Sequence, residues 1–459
     1  MSEAFDAIII GAGQAGPPLA GRLTSSGMRV ALVERQLIGG TCVNTGCMPT
    51  KALVASAYAA HMARRAADFG VVVPGAVGID MARVHARAHQ VTMNARNGLT
   101  AWMEGMSGLT LLRGHARFES PTSLRVGDAV LSAPRIFLNV GGRALVPDLP
   151  GLGEIDYLTN TGMLDLDVVP GHLVVVGGSY IGLEFAQAFR RFGADVTVLE
   201  RGPRLVPRED EDISAEIARF LTAEGIAVRT GVTSLAFARD GAGAKVRAEG
   251  DGGTPEIAAS HVLIAIGRVP NTGDLALDKA GVEVDGRGYI KVDDQLQTNV
   301  PGIWAMGDCN GRGAFTHTAY NDFEIIAANL LDGAARRLSA RVSGYALYTD
   351  PPLGRVGMSE AQARESGRLL LVSTRPMSRV GRAVEKGETT GFMKMMADAQ
   401  TKRILGVAIL GTGGDEAIHG ILDMMNADQP YDVLQWAVPI HPTVSELIPT
   451  LIGDLKPAG

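Results

Sequence analysis

Cysteine is nearly missing from this chain: 459 residues carry three, at positions 42, 47 and 309. That is too few for the disulfide framework of a small secreted domain. In a reducing compartment, a close pair points to catalysis or metal binding rather than bracing. Long hydrophobic runs are also missing, and nothing approaches the ~20 apolar residues that span a bilayer. The first strand begins near Phe5, leaving no room for a signal peptide. Positive charge is not in excess either. With 43 Lys and Arg against 49 Asp and Glu, the net charge is -6, and no long basic run offers a field for nucleic acid or an anionic membrane. The expectation is a cytoplasmic protein that binds neither.

Glycine, by contrast, is abundant. The 58 glycines lie well above the usual ~7% and imply many tight turns. The length exceeds one hydrophobic core, and at roughly 150 residues per domain it suggests about three domains.

Two of the three cysteines sit in Gly39-Gly40-Thr41-Cys42-Val43-Asn44-Thr45-Gly46-Cys47-Met48-Pro49-Thr50-Lys51, where a glycine-rich turn runs into an alanine-rich helix expected over residues 51–67. A helix N-terminus offers free N–H groups and partial positive charge. Both stabilise a thiolate and draw a cysteine pKa from about 8.5 toward roughly 3.5–7.5. The pair reads as a redox disulfide that opens and closes. A structural disulfide or a zinc half-site is the competing reading, and no further Cys or His cluster supplies the missing zinc ligands.

Around this segment lie two copies of one pattern. Phe5 to Ile10 is a short apolar strand ending in Gly11-Ala12-Gly13-Gln14-Ala15-Gly16, and Met28 to Glu34 is a second strand closing on an acid. The first glycine permits the turn, the second admits a pyrophosphate, the third lets helix pack on strand, and Glu34 reaches ribose hydroxyls. The pattern returns at Leu173 to Gly182 and Ala194 to Glu200. Gly11 and Gly177, Gly27 and Gly193, Glu34 and Glu200, and Arg35 and Arg201 all stand 166 positions apart (177 − 11). Ser179 replaces the middle glycine of the second copy. Two such folds are most simply used by one flavin dinucleotide and one nicotinamide dinucleotide.

The remaining segments read as follows. A loop is expected over 71–78 and a long helix over 79–106, on which His85 and His89 lie four apart. Without a third ligand they read as a solvated face, so no metal site is assigned. Strand-like runs fill 109–140, and a helix follows Arg208-Glu209-Asp210-Glu211-Asp212 to about Ala223. Asp308 ends a short strand, placed to hold a cofactor hydroxyl. Residues beyond about Val342 lack a nucleotide fingerprint and read as a dimerisation domain that closes on Ile440-His441-Pro442-Thr443-Val444-Ser445-Glu446.

Together, Gly11-x-Gly13-x-x-Gly16, the Cys42-(four residues)-Cys47 segment, the second fingerprint, Gly267-Arg268-x-Pro270-Asn271, Gly307-Asp308 and His441-Pro442-Thr443-x-x-Glu446 resemble the class I flavin disulfide reductases. This pyridine nucleotide-disulfide oxidoreductase family includes glutathione reductase, dihydrolipoamide dehydrogenase and mercuric reductase. The resemblance implies an α/β fold with two Rossmann-like nucleotide-binding domains and a C-terminal α+β dimerisation domain. FAD would occupy 1–148 with 270–340, NAD(P) 149–269, and the dimer contact 341–459. It implies a homodimer in which Cys47 is the charge-transfer thiol and Cys42 exchanges with substrate. Lys51 pairs with Glu184 beneath the flavin, and His441, oriented by Glu446, serves the partner's cysteines as acid and base. FAD would be held by Gly11, Gly13, Gly16, Glu34, Gly40, Thr41, Ala116, Gly142 and Asp308. The nicotinamide dinucleotide would meet Gly177, Tyr180, Ile181, Gly182, Glu200, Gly267 and Arg268, with Tyr180 matching an aromatic that covers the empty pocket in some members.

Glu200 favours a free ribose 2′-OH and hence NADH, with NADPH the alternative through Arg201 and Arg204. Gly307-Asp308-Cys309 and Pro207-Arg208-Glu209-Asp210 look closest to mercuric reductases, but the C-terminal cysteine pair of those enzymes has no counterpart in the final residues 453–459. The histidine-bearing stretch Ala314 to Ala319 is similar to dihydrolipoamide dehydrogenases. The expected substrate is therefore a small-molecule or protein-bound disulfide or dithiol. A mercuric or other metal-ion reductase is the first alternative, and a flavin-binding redox sensor or scaffold with little turnover is the second.

Overall fold

The computed structural model describes residues 2–250 and 253–458. Positions 1 and 459, the outer limits of the expected domains, and residues 251–252 lie outside the described residues. Two five-stranded parallel sheets share one plan. In the first, Ile303–Ala305, Ile136–Leu138, Ala7–Ile10, Val30–Glu34 and Leu109–Arg113 lie in that order. In the second the order is Tyr157–Leu158, His261–Ile264, His172–Val176, Asp195–Leu199 and Ala227–Arg229. The paired strands Ala7–Ile10 with Val30–Glu34 and His172–Val176 with Asp195–Leu199 are the two copies seen in sequence. Their apolar runs are buried almost throughout, as expected for parallel strands covered on both faces.

The chain leaves the first sheet after Ile136–Leu138 and returns to it at Ile303–Ala305. An antiparallel pair, Gly142–Ala144 with Arg268–Pro270, ties the outgoing and returning strands together. The last third forms a six-stranded sheet ordered Gly344–Leu347, Leu353–Gly357, Ile404–Leu410, Phe392–Asp398, Leu370–Pro376 and Lys456–Pro457. All of its pairings are antiparallel.

Two helices differ from expectation at their ends. The helix expected from Lys51 to Ala67 runs Cys47–Arg64 and is followed by a separate 3-10 turn, Ala66–Phe69. Cys47 is thus its first residue. Pro49 falls within the first turn, where its missing N–H costs no helical bond. The helix expected over 79–106 runs Met81–Glu104 because the Asp80 carboxylate caps it, accepting from Arg83 N. On that helix the His85 and His89 rings stack at 6.2 Å. Among the described residues no helix is long and apolar enough to cross a membrane.

Candidate functional site

The cysteine segment is built on the first fingerprint. Gly39 N donates to Ala12 O at 2.9 Å, and a Cβ on Gly40 would stand 2.9 Å from Gly13 Cα. Only glycine permits that approach, and Gly40 also has φ +61°. Cys42 lies in the short helix Gly40–Asn44, and Cys47 opens the next one. Asn160 reaches over from the second nucleotide-binding region and donates to Thr45 O at 2.7 Å, clasping the turn between the thiols.

Cys47 is exposed and Cys42 half-buried, both as free thiols. The Thr316 hydroxyl, on the first turn of the helix Thr316–Leu331, meets Cys47 Sγ at 3.3 Å. The hydrogen bond from Cys42, helped by Thr316 and the Lys51 charge, lowers the Cys47 pKa to about 6 against the cost of burial. The same bond, with burial and the Cys47 charge, pushes the Cys42 thiol up. The anion of the pair therefore resides on Cys47, beside the helix N-terminus.

One turn along the same helix, Lys51 Nζ lies 2.7 Å from Glu184 Oε2 and 4.5 Å from the centre of the Tyr348 ring. Glu184 is buried, and its other oxygen accepts from Tyr348 N at 3.1 Å. The expected ion pair thus forms, anchored by a backbone donor from the third sheet region that sequence reading did not supply.

The two fingerprints are superposable in their details. Cβ atoms on Gly16 and Gly182 would each fall 2.2 Å from the carbonyl oxygens of Gly11 and Gly177, and those two glycines have φ +106° and +115°. Glu34 accepts from Ala12 N at 2.8 Å and Gln36 N at 2.7 Å. Glu200 accepts from Gly178 N and Gly202 N, each at 2.6 Å. Each acid therefore fastens its own glycine loop, and each oxygen keeps a second lone pair that could accept from a hydroxyl. The Tyr180–Phe192 helix has no side-chain cap at Ser179, which leaves its first N–H groups for a pyrophosphate, with Ile181 and Gly182 in that first turn. Arg204 donates to Glu209 O at 3.3 Å, whereas Arg201 is exposed.

Asp308, Arg268, Gly142 and Thr41 form a second cluster. Arg268 Nε is 3.4 Å from Asp308 Oδ2, and its Nη2 donates to Gly142 O and, at 3.4 Å, to Thr41 Oγ1. Among the described residues Arg268 Nε is buried without a hydrogen-bond partner, and a Cβ on Gly142 would meet Val269 O at 2.9 Å. A glycine, a carboxylate and an unpartnered guanidinium N–H in one cluster suit the hydroxyl-rich ribityl and phosphate portion of a flavin dinucleotide. The turn carrying Asp308 is set by Asp322, whose Oδ2 accepts from Gly307 N at 2.8 Å and Asn310 Nδ2 at 2.9 Å. Cys309 is fully buried and donates to Met306 O; burial pushes its pKa up to about 12. Ala116 is buried at the start of a strand, and Gly267 has φ +135° beside Arg268.

His441 and Glu446 stand apart from this constellation. The imidazole Nδ1 is 2.8 Å from Glu446 Oε2, and the His441 side chain is 80% exposed. The segment is a loop leading into a 3-10 turn, Ser445–Leu447, so the two meet through loop folding and not along a helix face. Trp436, Val438 and Ile440 just before it are 79–96% exposed in the single chain, an apolar strap of the kind buried in protein contacts.

Sequence reading missed Thr316 as a thiol partner, Asn160, Asp322 and the Tyr348 backbone. It also missed a carboxylate, Glu209, that accepts from both Tyr180 and Tyr345. A polar residue at a helix start was the only signal for Thr316.

Residues 5–322 match the family model described as pyridine nucleotide-disulphide oxidoreductase, and 344–452 match its dimerisation domain. The chain is 36% identical to the probable pyridine nucleotide-disulfide oxidoreductase RclA of Escherichia coli K12, over 98% of this chain and 99% of that one. It is 32% identical to a dihydrolipoyl dehydrogenase of Thermus scotoductus, covering 97% and 96%. With a mercuric reductase of Bacillus cereus it shares 34% identity over 90% of this chain and 66% of that one. Among solved structures, a Cu(II) complex of the HOCl-induced flavoprotein disulfide reductase RclA from Escherichia coli superposes with a TM-score of 0.90. It is 35% identical and covers 98% of this chain and 99% of that chain.

Proposed function

Because the chain belongs to the pyridine nucleotide-disulphide oxidoreductases, whose members use FAD and NAD(P)H, we propose that Cys42 and Cys47 are its redox pair and that its acceptor is a disulfide. The observation that carries this reading is the unequal placement of the pair: an exposed Cys47 at a helix N-terminus, hydrogen-bonded to Thr316, and a half-buried Cys42 beside it. When bound, FAD would supply a two-electron carrier between a nicotinamide and the Cys42–Cys47 disulfide.

The chain's own residues then complete the chemistry. Lys51, held by Glu184, is a cation that would favour the electron-rich reduced form of a flavin bound beside it. His441, with its ring fixed by Glu446, takes the Cys42 proton. The Cys42 thiolate attacks one sulfur of the substrate, forming a mixed disulfide and expelling the first thiolate, which His441 reprotonates. Cys47 then attacks Cys42, which releases the second thiolate and restores the internal disulfide. Substrate is reduced by two electrons and the pair is oxidised by two. His441 acts on the cysteines of a second copy, so the working unit is a homodimer joined through residues 341–459. FAD is assigned to 1–148 with 270–340 and the nicotinamide cofactor to 149–269. A pair that must cycle through the dithiol suits a reducing, cytoplasmic setting.

Glu200 supports NADH over NADPH. The test is one panel: NADH and NADPH, each with lipoamide, oxidised glutathione, small disulfides and Hg(II) or Cu(II). The proposal expects a disulfide to be turned over best and kcat/KM to favour NADH. Turnover of metal ions alone would favour the second reading, which the Cu(II)-bound solved relative supports and for which two thiolates are suitable soft ligands.

The lowered Cys47 pKa also gives a pH dependence. Thiolate forms as pH rises through about 6, so the long-wavelength absorbance of the two-electron-reduced enzyme should persist at pH 7–8. It should fade on acidification below about 6. A band that titrated near the ordinary thiol value of about 8.5 would contradict this assignment.

A further inference from the structure

We propose that Glu209 is a positioning residue that, together with Tyr345, tethers the phenol of Tyr180 and so sets how readily a nicotinamide ring enters beside Lys51 and Glu184. The inference rests on the reading that a nicotinamide dinucleotide docks on the second fingerprint with Tyr180 covering the empty ring pocket. Tyr180 opens its helix four residues before Glu184, so the two side chains share a helix face. Its hydroxyl donates to Glu209 Oε1 at 3.1 Å, and the Tyr345 hydroxyl donates to the same oxygen at 2.6 Å. The two rings meet edge to face at 5.6 Å. Phe315 completes the group, edge-on to Tyr180 at 6.5 Å and stacked on Tyr345 at 5.6 Å. Phe315 immediately precedes Thr316, the hydroxyl partner of Cys47.

Glu209 is 2% exposed, and its charge is balanced from below by Arg355, whose Nη1 is 3.8 Å from Oε2. Among the described residues neither of those two atoms has a hydrogen-bond partner, and the side-chain hydrogen bonds this carboxylate accepts come from the two tyrosines. In a buried setting an O–H bonded to a carboxylate is held more firmly than one bonded to water. Burial and the Glu209 charge raise the pKa of both phenols, which keeps them as donors. Segments from three sheet regions thus fix one ring: Tyr180 and Glu209, Phe315, and Tyr345.

The consequence is a measurable handicap. A nicotinamide ring enters only the share of molecules in which Tyr180 has swung aside, and apparent affinity falls by that share. Releasing the tether should tighten binding of the nicotinamide end and leave the adenosine end alone. The test uses the FAD-loaded enzyme and calorimetric titration with two ligands. One is 1,4,5,6-tetrahydro-NAD, which cannot donate hydride, and the other is ADP-ribose, which lacks the ring.

Tyr180→Phe keeps the aromatic ring and deletes the donor. Glu209→Gln keeps the shape and removes the charge. Each should bind tetrahydro-NAD about tenfold more tightly with ADP-ribose unchanged, and the double variant should gain nothing beyond either single. Flavin content and near-ultraviolet circular dichroism establish that each variant is folded. The tether alone is overturned if the wild type binds both ligands and the variants bind tetrahydro-NAD no more tightly. It is likewise overturned if ADP-ribose shifts in parallel, or if Glu209→Gln has its full effect in the Tyr180→Phe background. If the wild type bound neither ligand, the docking reading would fall together with the tether.

Discussion

Cys47→Ser is expected to lower disulfide turnover by about a thousandfold or more while leaving flavin content and the fold intact. Cys47 is exposed, its side-chain bonds are to Thr316 and Cys42, and a serine hydroxyl fills the same place. What is lost is the thiolate, and with it both the long-wavelength band of the reduced enzyme and the closing step of each cycle. Cys42→Ser should abolish turnover to the same extent but keep a thiolate on Cys47, so its band should persist. The two variants separate the roles because the bond between the thiols, with Thr316 and Lys51, draws the Cys47 pKa down, whereas that bond and burial push the Cys42 thiol up. If the band survived in Cys47→Ser and vanished in Cys42→Ser, the roles would be reversed.

His441→Ala carries the second large effect, a loss of about a hundred- to ten-thousandfold in turnover. Thiol exchange needs a group that accepts and returns the thiol proton. His441 is exposed in the single chain, bonded among the described residues to Glu446, and preceded by an exposed apolar strap in the dimerisation domain. Complementation between subunits checks the arrangement. Cys42→Ser and His441→Ala chains, each inactive, should regain about a quarter of wild-type activity when unfolded together and refolded. Half of the random dimers are then mixed, and each mixed dimer has one complete site of two. An activity that stayed at the level of the parents would place the histidine in the same chain as its cysteines, or outside the reaction.

The parts legible in the sequence were those whose chemistry is local. Gly11, Gly13, Gly16 and Glu34 lie within one strand, turn, helix and strand, and the return of that spacing at Gly177 to Glu200 foretold the matching sheets. The cysteine segment was legible for the same reason. The start of its helix was misplaced by four residues because Pro49 reads as a breaker, although the first turn tolerates it.

The partners that arrive from elsewhere in the chain were hidden. Thr316 is 269 positions from Cys47, Asn160 is 115 from Thr45, and Tyr345 is 136 from Glu209. No periodicity links such residues, and only the folded sheets bring them together. Glu200 was read for its ribose. That it also fastens Gly178 and Gly202 emerged only from the strand's end geometry.

The central claim is that this chain stores an electron pair on Cys42 and Cys47 in addition to the pair on its flavin. Anaerobic reductive titration of the oxidised enzyme, followed by absorbance and by thiol counting, tests it most directly. The account predicts uptake of about two electron pairs per chain, with two new thiols and a long-wavelength band after the first. Full reduction by a single electron pair, with no new thiols, would contradict it.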